Sequence, residues 1–381
     1  MARRRTLHHA QLAATVITGT ALAFAATVAP ASAQAAGSAS PVDTTVTQIA
    51  STVPANGDVN PYGVAVVPES TGALHEGNVL VSNFNAASNL QGTGTTVMQV
   101  WPNGHVSTFA QLSAAHLPGA CPGGIGLTTA LVALRSGWVV VGSLPTADGS
   151  GATAKAGCLL VLDSHGVVRE TLSGYGINGP WDMTALDGGS FAELFVSNVL
   201  NGTVAANGAT VHRGTVLRLG LAIPAGHAPR VVSHTVIGSG FGEHTDPAAL
   251  VVGPTGLGLA ANGTLYVADS VGNRIAAIPN APWRDDSAGT GRTVTWGGAL
   301  NTPLGLAVAQ GGDILTVNAG DGFLVATTPS GKQVQTVQLD SSGDPAGAGA
   351  LFGLATVRNG AGHSDDVYFV DDAANTLDLL H

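Results

Sequence analysis

The sequence predicts an all-β fold, a six-bladed β-propeller built from four-stranded blades. Three observations lead to this prediction. The apolar runs are short, β-branched and bounded by Gly, Pro, Asn and Asp, and none keeps a helical period over a helix length. The runs recur in six matched units, which is how a repeat fold is recognised. The last unit lacks a strand that the N-terminal segment can supply. A β-sandwich is the alternative, but it does not require six matched units.

Each unit begins with a run of small residues that we assign to the innermost strand. The six runs are PYGVAVV from Pro61, PGGIGLT from Pro122, PWDMTAL from Pro180, PTGLGLA from Pro254, PLGLAVA from Pro303 and LFGLATV from Leu351. A second, more hydrophobic run follows in each unit, as expected for a strand buried on both faces between blades. Third and fourth runs, several joined by turn residues such as Pro102-Asn103-Gly104, complete the predicted blade.

The two ends of the chain are predicted to meet in one blade. The sixth unit ends at His381 after its third strand, and the alternating segment from Val46 to Ala50 fits the missing fourth strand. The third unit is the longest, because residues 199–213 form an insertion between its second and third strands. Insertions in repeat folds collect on loops, often on the functional face.

The N-terminus has the pattern of a secretory signal peptide. Arg3 to Arg5 precede an apolar stretch, and Ala31-Ser32-Ala33 offers small residues for cleavage. We therefore assign residues 1–33 to a signal peptide, 34–42 to a flexible linker and 43–381 to the propeller, and we expect a secreted protein. A retained membrane anchor is the alternative, although the Ala-rich, Thr-interrupted stretch makes a poor permanent span.

The charge balance excludes some partners. Without the three leader arginines, 11 basic side chains face 24 acidic ones. This excess of negative charge argues against binding to nucleic acid or to an anionic membrane surface. We expect a monomer without a membrane span after signal cleavage. Cys121 and Cys158 form an even pair in an exported chain, which permits one disulfide.

The fourth unit resembles a known family of repeats. Pro254-Thr255-Gly256-Leu257-Gly258-Leu259, then Gly263-Thr264-Leu265-Tyr266-Val267-Ala268-Asp269, then Asn273-Arg274-Ile275 is similar to an NHL repeat. Propellers that resemble this one include gluconolactonase and regucalcin-like hydrolases, peptide-amidating lyases and exported modules that only bind. The resemblance therefore implies a fold more than a function.

One face of the predicted propeller carries most of the polar loop residues. It collects the loops from strand four to strand one and from strand two to strand three. The candidate ligand-binding residues on this face are Asn60, Tyr62, Asn178, Trp181 and Asp182. An aromatic side chain at a channel mouth can stack on a sugar or a peptide. Packing between blades is the alternative role for both aromatic residues.

The same face holds candidate metal ligands. A ring of oxygen ligands suits Ca²⁺, and regucalcin-like enzymes use a few carboxylate and Asn ligands at the channel. The candidates here are Asn83, Asp182, Asn198, Asp269, Asn318 and Asp371. Hydrogen bonds to their own turns are the alternative use of these side chains. His116, His212 and His244 on the same loops offer a weaker case for Zn²⁺, because no two have a ligand-like spacing.

Two functions are consistent with these residues. The first is an exported binding or scaffold module that engages a small ligand, peptide or glycan on its loop face. The second is a metal-dependent hydrolase or lyase of the gluconolactonase-like kind, with Ca²⁺ favoured over Zn²⁺. The sequence shows no GxSxG elbow, P-loop or HExxH motif that would favour a particular catalytic class.

Overall fold

Six antiparallel sheets form a ring, which confirms the predicted propeller. The computed structural model describes residues 44–358 and 365–381. The predicted signal peptide and linker lie outside these ranges. Among the described residues, no helix has the length and apolar character needed to cross a membrane.

The strands follow in chain order, with the first strand of each blade innermost. Blade one consists of β2 (Val59–Val66), β3 (Val79–Asn85), β4 (Thr96–Val100) and β5 (Val106–Gln111). Blade two consists of β6 (Leu127–Ala133), β7 (Val139–Ser143), β8 (Cys158–Leu162) and β9 (Val168–Leu172). Blade three consists of β10 (Pro180–Asp187), β11 (Phe191–Asn198), β12 (Val211–Ala222), β13 (Arg230–Asp246) and β14 (Leu250–Val252).

The remaining blades have four strands each. Blade four consists of β15 (Pro254–Leu259), β16 (Leu265–Asp269), β17 (Arg274–Ile278) and β18 (Arg292–Trp296). Blade five consists of β19 (Pro303–Val308), β20 (Ile314–Asn318), β21 (Phe323–Thr327) and β22 (Gln333–Gln338). Blade six consists of β23 (Leu351–Arg358), β24 (Asp365–Asp371), β25 (Thr376–Leu380) and, from the N-terminal end, β1 (Val46–Ser51).

The N-terminal strand closes the ring as predicted. Val46 pairs with Leu380 and Ser51 pairs with Thr376, so β1 is the outer strand of the last blade. A hydrogen bond of 2.8 Å between the Thr47 hydroxyl and the His381 ring adds to this seam. Both ends of the propeller are therefore held in one sheet.

Two details differ from the sequence prediction. In blade two the inner strand is Leu127–Ala133 rather than the run from Pro122, because Leu131 pairs with Val141 as Leu257 pairs with Val267 in blade four. Blade three has a fifth strand, β14, which pairs with the end of the long strand β13. The repeat pattern could not show either feature. In blade two the matched run lies several residues before the inner strand, and β14 has no counterpart in the other blades.

Inter-blade packing explains the composition of the strands. The second strands β3, β7, β16 and β20 are buried along their whole length, because a neighbouring blade covers each face. The inner strands are crowded: a Cβ on Gly305 would lie 1.9 Å from the Phe352 carbonyl oxygen, and one on Gly353 would lie 2.1 Å from that of Tyr62. Only glycine fits so close to the neighbouring backbone.

A disulfide joins Cys121, in the connection between blades one and two, to Cys158 at the start of β8. Short helical turns occur at Ala114–His116, Gly151–Thr153, Thr203–Ala206 and Ala281–Trp283. The turn at Thr203–Ala206 lies inside the insertion that the sequence predicted for the third unit.

Candidate functional site

The protein's own chain covers the channel on the loop face. The segment Pro247–Val252, here called the cap segment, follows β13 and lies over the inner strands. The indole N–H of Trp181 donates to the Val251 carbonyl oxygen over 3.0 Å. The Tyr62 hydroxyl donates to the Ala248 carbonyl oxygen over 3.4 Å. Leu250 and Val251 are buried, so apolar side chains close this mouth.

The two aromatic residues predicted to bind a ligand pack inside this cover. Tyr62 stacks between Phe84 and Phe352, with ring centroids 4.3 and 3.8 Å apart, and only 2% of its surface is exposed. Trp181 is 3% exposed. Both residues therefore have the packing role that the sequence left open as an alternative.

The predicted amide residues of the loop face hold loops together. The Asn60 N–H donates to the Asn375 side-chain oxygen over 2.7 Å, and its amide donates to Asp372 over 3.3 Å. The Asn178 N–H donates to the Asn198 side-chain oxygen over 3.0 Å. These bonds join neighbouring loops and leave the two backbone N–H groups satisfied.

Five of the six predicted metal ligands occupy one repeated position. Each pairs with the inner-strand residue just before the register shift, and all except Asn83 are the last residue of a second strand; these are Asn83, Asn198, Asp269, Asn318 and Asp371. Blade two has Ser143 at this position. Asp182, the sixth candidate, lies instead on an inner strand.

Hydrogen bonds within the protein engage these side chains. Asp269 pairs with Arg274 at 2.7 Å, Asn318 donates to Asp321 over 3.0 Å, and Asp371 accepts the Ala374 N–H at 2.9 Å. Within residues 44–358 and 365–381, no group of three or more His, Cys, Asp or Glu side chains could hold a metal ion. The metal sites therefore stay predictions, and no reaction step is derived through a metal.

The open space of the propeller lies toward the opposite face. A cavity of about 500 Å³ is lined by the later residues of all six inner strands, where the strands run toward the hairpins that lead into the second strands. Its walls are mainly Val, Ala and Leu side chains. A second cavity of about 340 Å³ adjoins it and shares Leu259, Val308 and Thr356. We call this side of the propeller the hairpin face.

Asp182 brings a carboxyl group to the wall of the larger cavity. The equivalent positions in the other blades are Gly63, Ala130, Gly256, Gly305 and Gly353, as the strand registers show. Asp182 is therefore the single member of this repeated position with a polar side chain. Its Oδ2 accepts the Leu257 N–H over 2.8 Å and so spans from blade three to blade four.

The Asp182 carboxyl has no positive partner in the described part of the chain. It is 8% exposed and forms no ion pair with any described Lys, Arg or His. Burial raises the pKa of Asp182 to about 7, although the hydrogen bond from Leu257 opposes that rise. The group is therefore close to half ionised at neutral pH.

Two further charged residues lie at the rim of the cavity, and they neutralise each other. The Arg135 N–H donates to Asp187 over 2.7 Å, and the Arg135 guanidinium lies 3.7 Å from the same carboxylate. The lining of the cavity therefore leaves Asp182 without an opposing charge.

Three other carboxyl groups with raised pKa values belong to the loop-face side. Burial raises the pKa of Glu243 to about 7 and that of Asp372 to about 8. Burial and the neighbouring Asp340 and Asp378 raise the pKa of Asp371 to about 6. None of these three lines the channel cavity. The sequence predicted Asp182 as a site residue but predicted its ligand on the loop face. The repeats could not reveal the cap segment, because this segment has no counterpart in the other blades.

Comparison with known proteins supports the fold. No family model matches the chain, and no curated protein matches it. A gluconolactonase from Xanthomonas campestris has a similar structure, with a TM-score of 0.51 and 14% identity over 84% of this chain and 86% of the other. The PQQ-bound aldose sugar dehydrogenase from Streptomyces coelicolor gives a TM-score of 0.51 and 16% identity, over 89% and 99% of the two chains. At these identities the likeness shows the propeller, and membership of the NHL-repeat family stays a prediction.

Proposed function

We propose that the protein is a small-molecule hydrolase or lyase whose site is the central channel, entered from the hairpin face. The observation that carries the proposal is Asp182, a buried carboxyl group on the wall of a cavity of about 500 Å³. Cavities of this size with a few convergent polar groups are typical of small-molecule sites. A strongly shifted pKa in a cleft is typical of functional carboxyl groups.

The solved structures favour an enzyme over a module that only binds. One of the similar proteins is described as a gluconolactonase and another as a sugar dehydrogenase. The proposal carries over only the idea of a small-molecule substrate held at the centre of a propeller. The substrate and the cofactor of those proteins are not assigned to this chain.

The Asp182 carboxyl can act in two ways. In a hydrolysis it can accept a proton from the attacking water and return that proton to the leaving oxygen as the C–O bond breaks. Alternatively, it can hold a positively charged group of the substrate and so fix its position. In both cases its replacement by Asn removes the charge and keeps an oxygen for the Leu257 N–H.

The test is a turnover assay on the purified mature protein with neutral and amine-bearing lactones and esters. Asp182→Asn should lower kcat/KM by about 10²- to 10⁴-fold, the range for loss of a proton-transferring group. Asp313→Asn is the matched control, because burial also raises the pKa of Asp313 but this residue lines neither channel cavity. Equal turnover by both variants would contradict the proposal.

A second candidate, a module that binds without reaction, is favoured by the small number of reactive groups on the described lining. Arg135 and Asp187 pair with each other, so neither is free to act together with Asp182. Saturable binding in the channel without turnover of any substrate would support this candidate.

A further inference from the structure

We propose that the channel site selects a small organic cation, a primary ammonium carried on a compact apolar group. This inference rests on the proposed channel site and names its substrate class. It follows from a carboxyl group that lines the channel cavity without a counter-ion in the described protein.

The first step concerns the charge inside the cavity. A buried carboxyl group is tolerated when it is protonated or when a positive charge compensates it. Arg135 and Asp187 are the other titratable groups on the lining, and they pair with each other. A cationic ligand therefore supplies the charge that the protein itself does not place beside Asp182.

The second step concerns hydrogen bonds. One carboxylate oxygen of Asp182 already accepts the Leu257 N–H. The inner strands are edge strands of their sheets, so carbonyl groups on their free edges also face the channel. An ammonium group has three donors and no acceptor, and it can use both the carboxylate and these carbonyl oxygens.

The third step concerns the rest of the ligand. Half-buried apolar side chains such as Val66, Leu259 and Val308 line the cavity beside the strand backbones, and an aliphatic or aromatic body can pack against them. The net charge of the chain is −10, which attracts cations and disfavours anions over a longer range. An anionic ligand would meet the like charge of ionised Asp182.

The test compares three probes of one shape: cyclohexylmethylammonium, cyclohexylmethanol and cyclohexanecarboxylate. Calorimetric titration of the mature protein at pH 8 should show the ammonium binding about 10- to 100-fold more tightly than the alcohol, the range for a charged hydrogen bond. Asp182→Asn should remove that preference, Asp182→Glu should restore part of it, and Asp313→Asn should keep it.

The pH dependence of ligand affinity distinguishes a charge interaction with Asp182 from a purely structural role of this residue. Affinity for the ammonium should rise from pH 5 to 8 as Asp182 ionises, while affinity for the alcohol should not rise. Each binding event at pH 6 should release a proton, which buffers of different ionisation enthalpy detect.

Three results would overturn the inference. If the alcohol binds as tightly as the ammonium, or if Asp182→Asn keeps the preference, the site does not select cations. Absence of binding by all three probes has the same meaning. If turnover of neutral substrates still depends on Asp182 in these cases, the proposed function stands and only the cation selectivity is wrong.

Discussion

Asp182 combines a structural contact with an electrostatic cost. Its carboxyl group bridges two inner strands at a position where four blades have glycine and one has alanine. The folded protein holds the proton of Asp182 more tightly than the unfolded chain, because the folded pKa is about 7 and the ordinary value is 3.8. This group therefore lowers stability progressively as the pH rises from about 4 to about 7.

Asp182→Asn should consequently stabilise the protein at high pH. We expect a gain of about 2–4 kcal/mol in the free energy of unfolding at pH 8, and little change at about pH 3, where the group is mostly protonated in both states. Denaturant titrations at the two pH values measure this difference.

Asp163→Asn is the control of opposite sign, because hydrogen bonds and Arg169 hold the pKa of Asp163 below its ordinary value. That variant should lose stability at pH 8 and not gain it. A loss of stability in Asp182→Asn at pH 8 would show that the ionised group is compensated in the folded protein.

At the scale of elements, β1 is the strand whose removal the ring should tolerate least. Without it, β25 becomes an exposed edge and the last blade loses its connection to the first. Deletion of residues 46–51 should lower the melting temperature by more than ~10 °C, since several kcal/mol of packing and ladder hydrogen bonds are lost.

A chain that begins at Thr44 is the control for this deletion and should melt like the longer chain. Calorimetry on both truncated proteins makes the comparison. Equal melting temperatures for the two would mean that β1 contributes nothing to closure.

The sequence predicted the elements better than the site. Strand alternation and six matched runs were enough to predict the blades. The missing strand of the last unit was enough to predict the position of β1. The same logic located the strand-end residues Asn83, Asn198, Asp269, Asn318 and Asp371 as one repeated set. It could not tell which groups they would bond to, because a turn residue and a metal ligand have the same side-chain chemistry.

The cap segment is the element that the sequence could not supply. It comes from an insertion without a repeat partner, and its apolar residues resemble an ordinary strand. Leu250 adopts a positive φ of 62°, a conformation that costs a bulky residue about 1–2 kcal/mol and that local propensity would not predict. Its burial among Tyr62, Phe84 and Trp181 offsets that cost.

At the scale of the whole molecule, the two faces of the propeller differ in how far the channel is covered. The loop face carries most of the polar residues, but the cap segment seals its mouth with buried apolar side chains. The hairpin face has fewer polar residues and leaves the channel open. The polar residues of the sequence favoured a site on the loop face, whereas the open cavity favours a site on the hairpin face.

The measurement that tests this account most directly is the affinity of two matched tryptophan variants for the channel ligand that binds most tightly. Ala307→Trp fills the cavity wall on the hairpin face, and Ala248→Trp adds the same bulk to an exposed position of the cap segment on the loop face. We predict that Ala307→Trp abolishes binding, while Ala248→Trp leaves the affinity within about twofold and both variants keep their melting temperatures. Loss of binding in Ala248→Trp with retention in Ala307→Trp would place the site on the loop face and contradict the account.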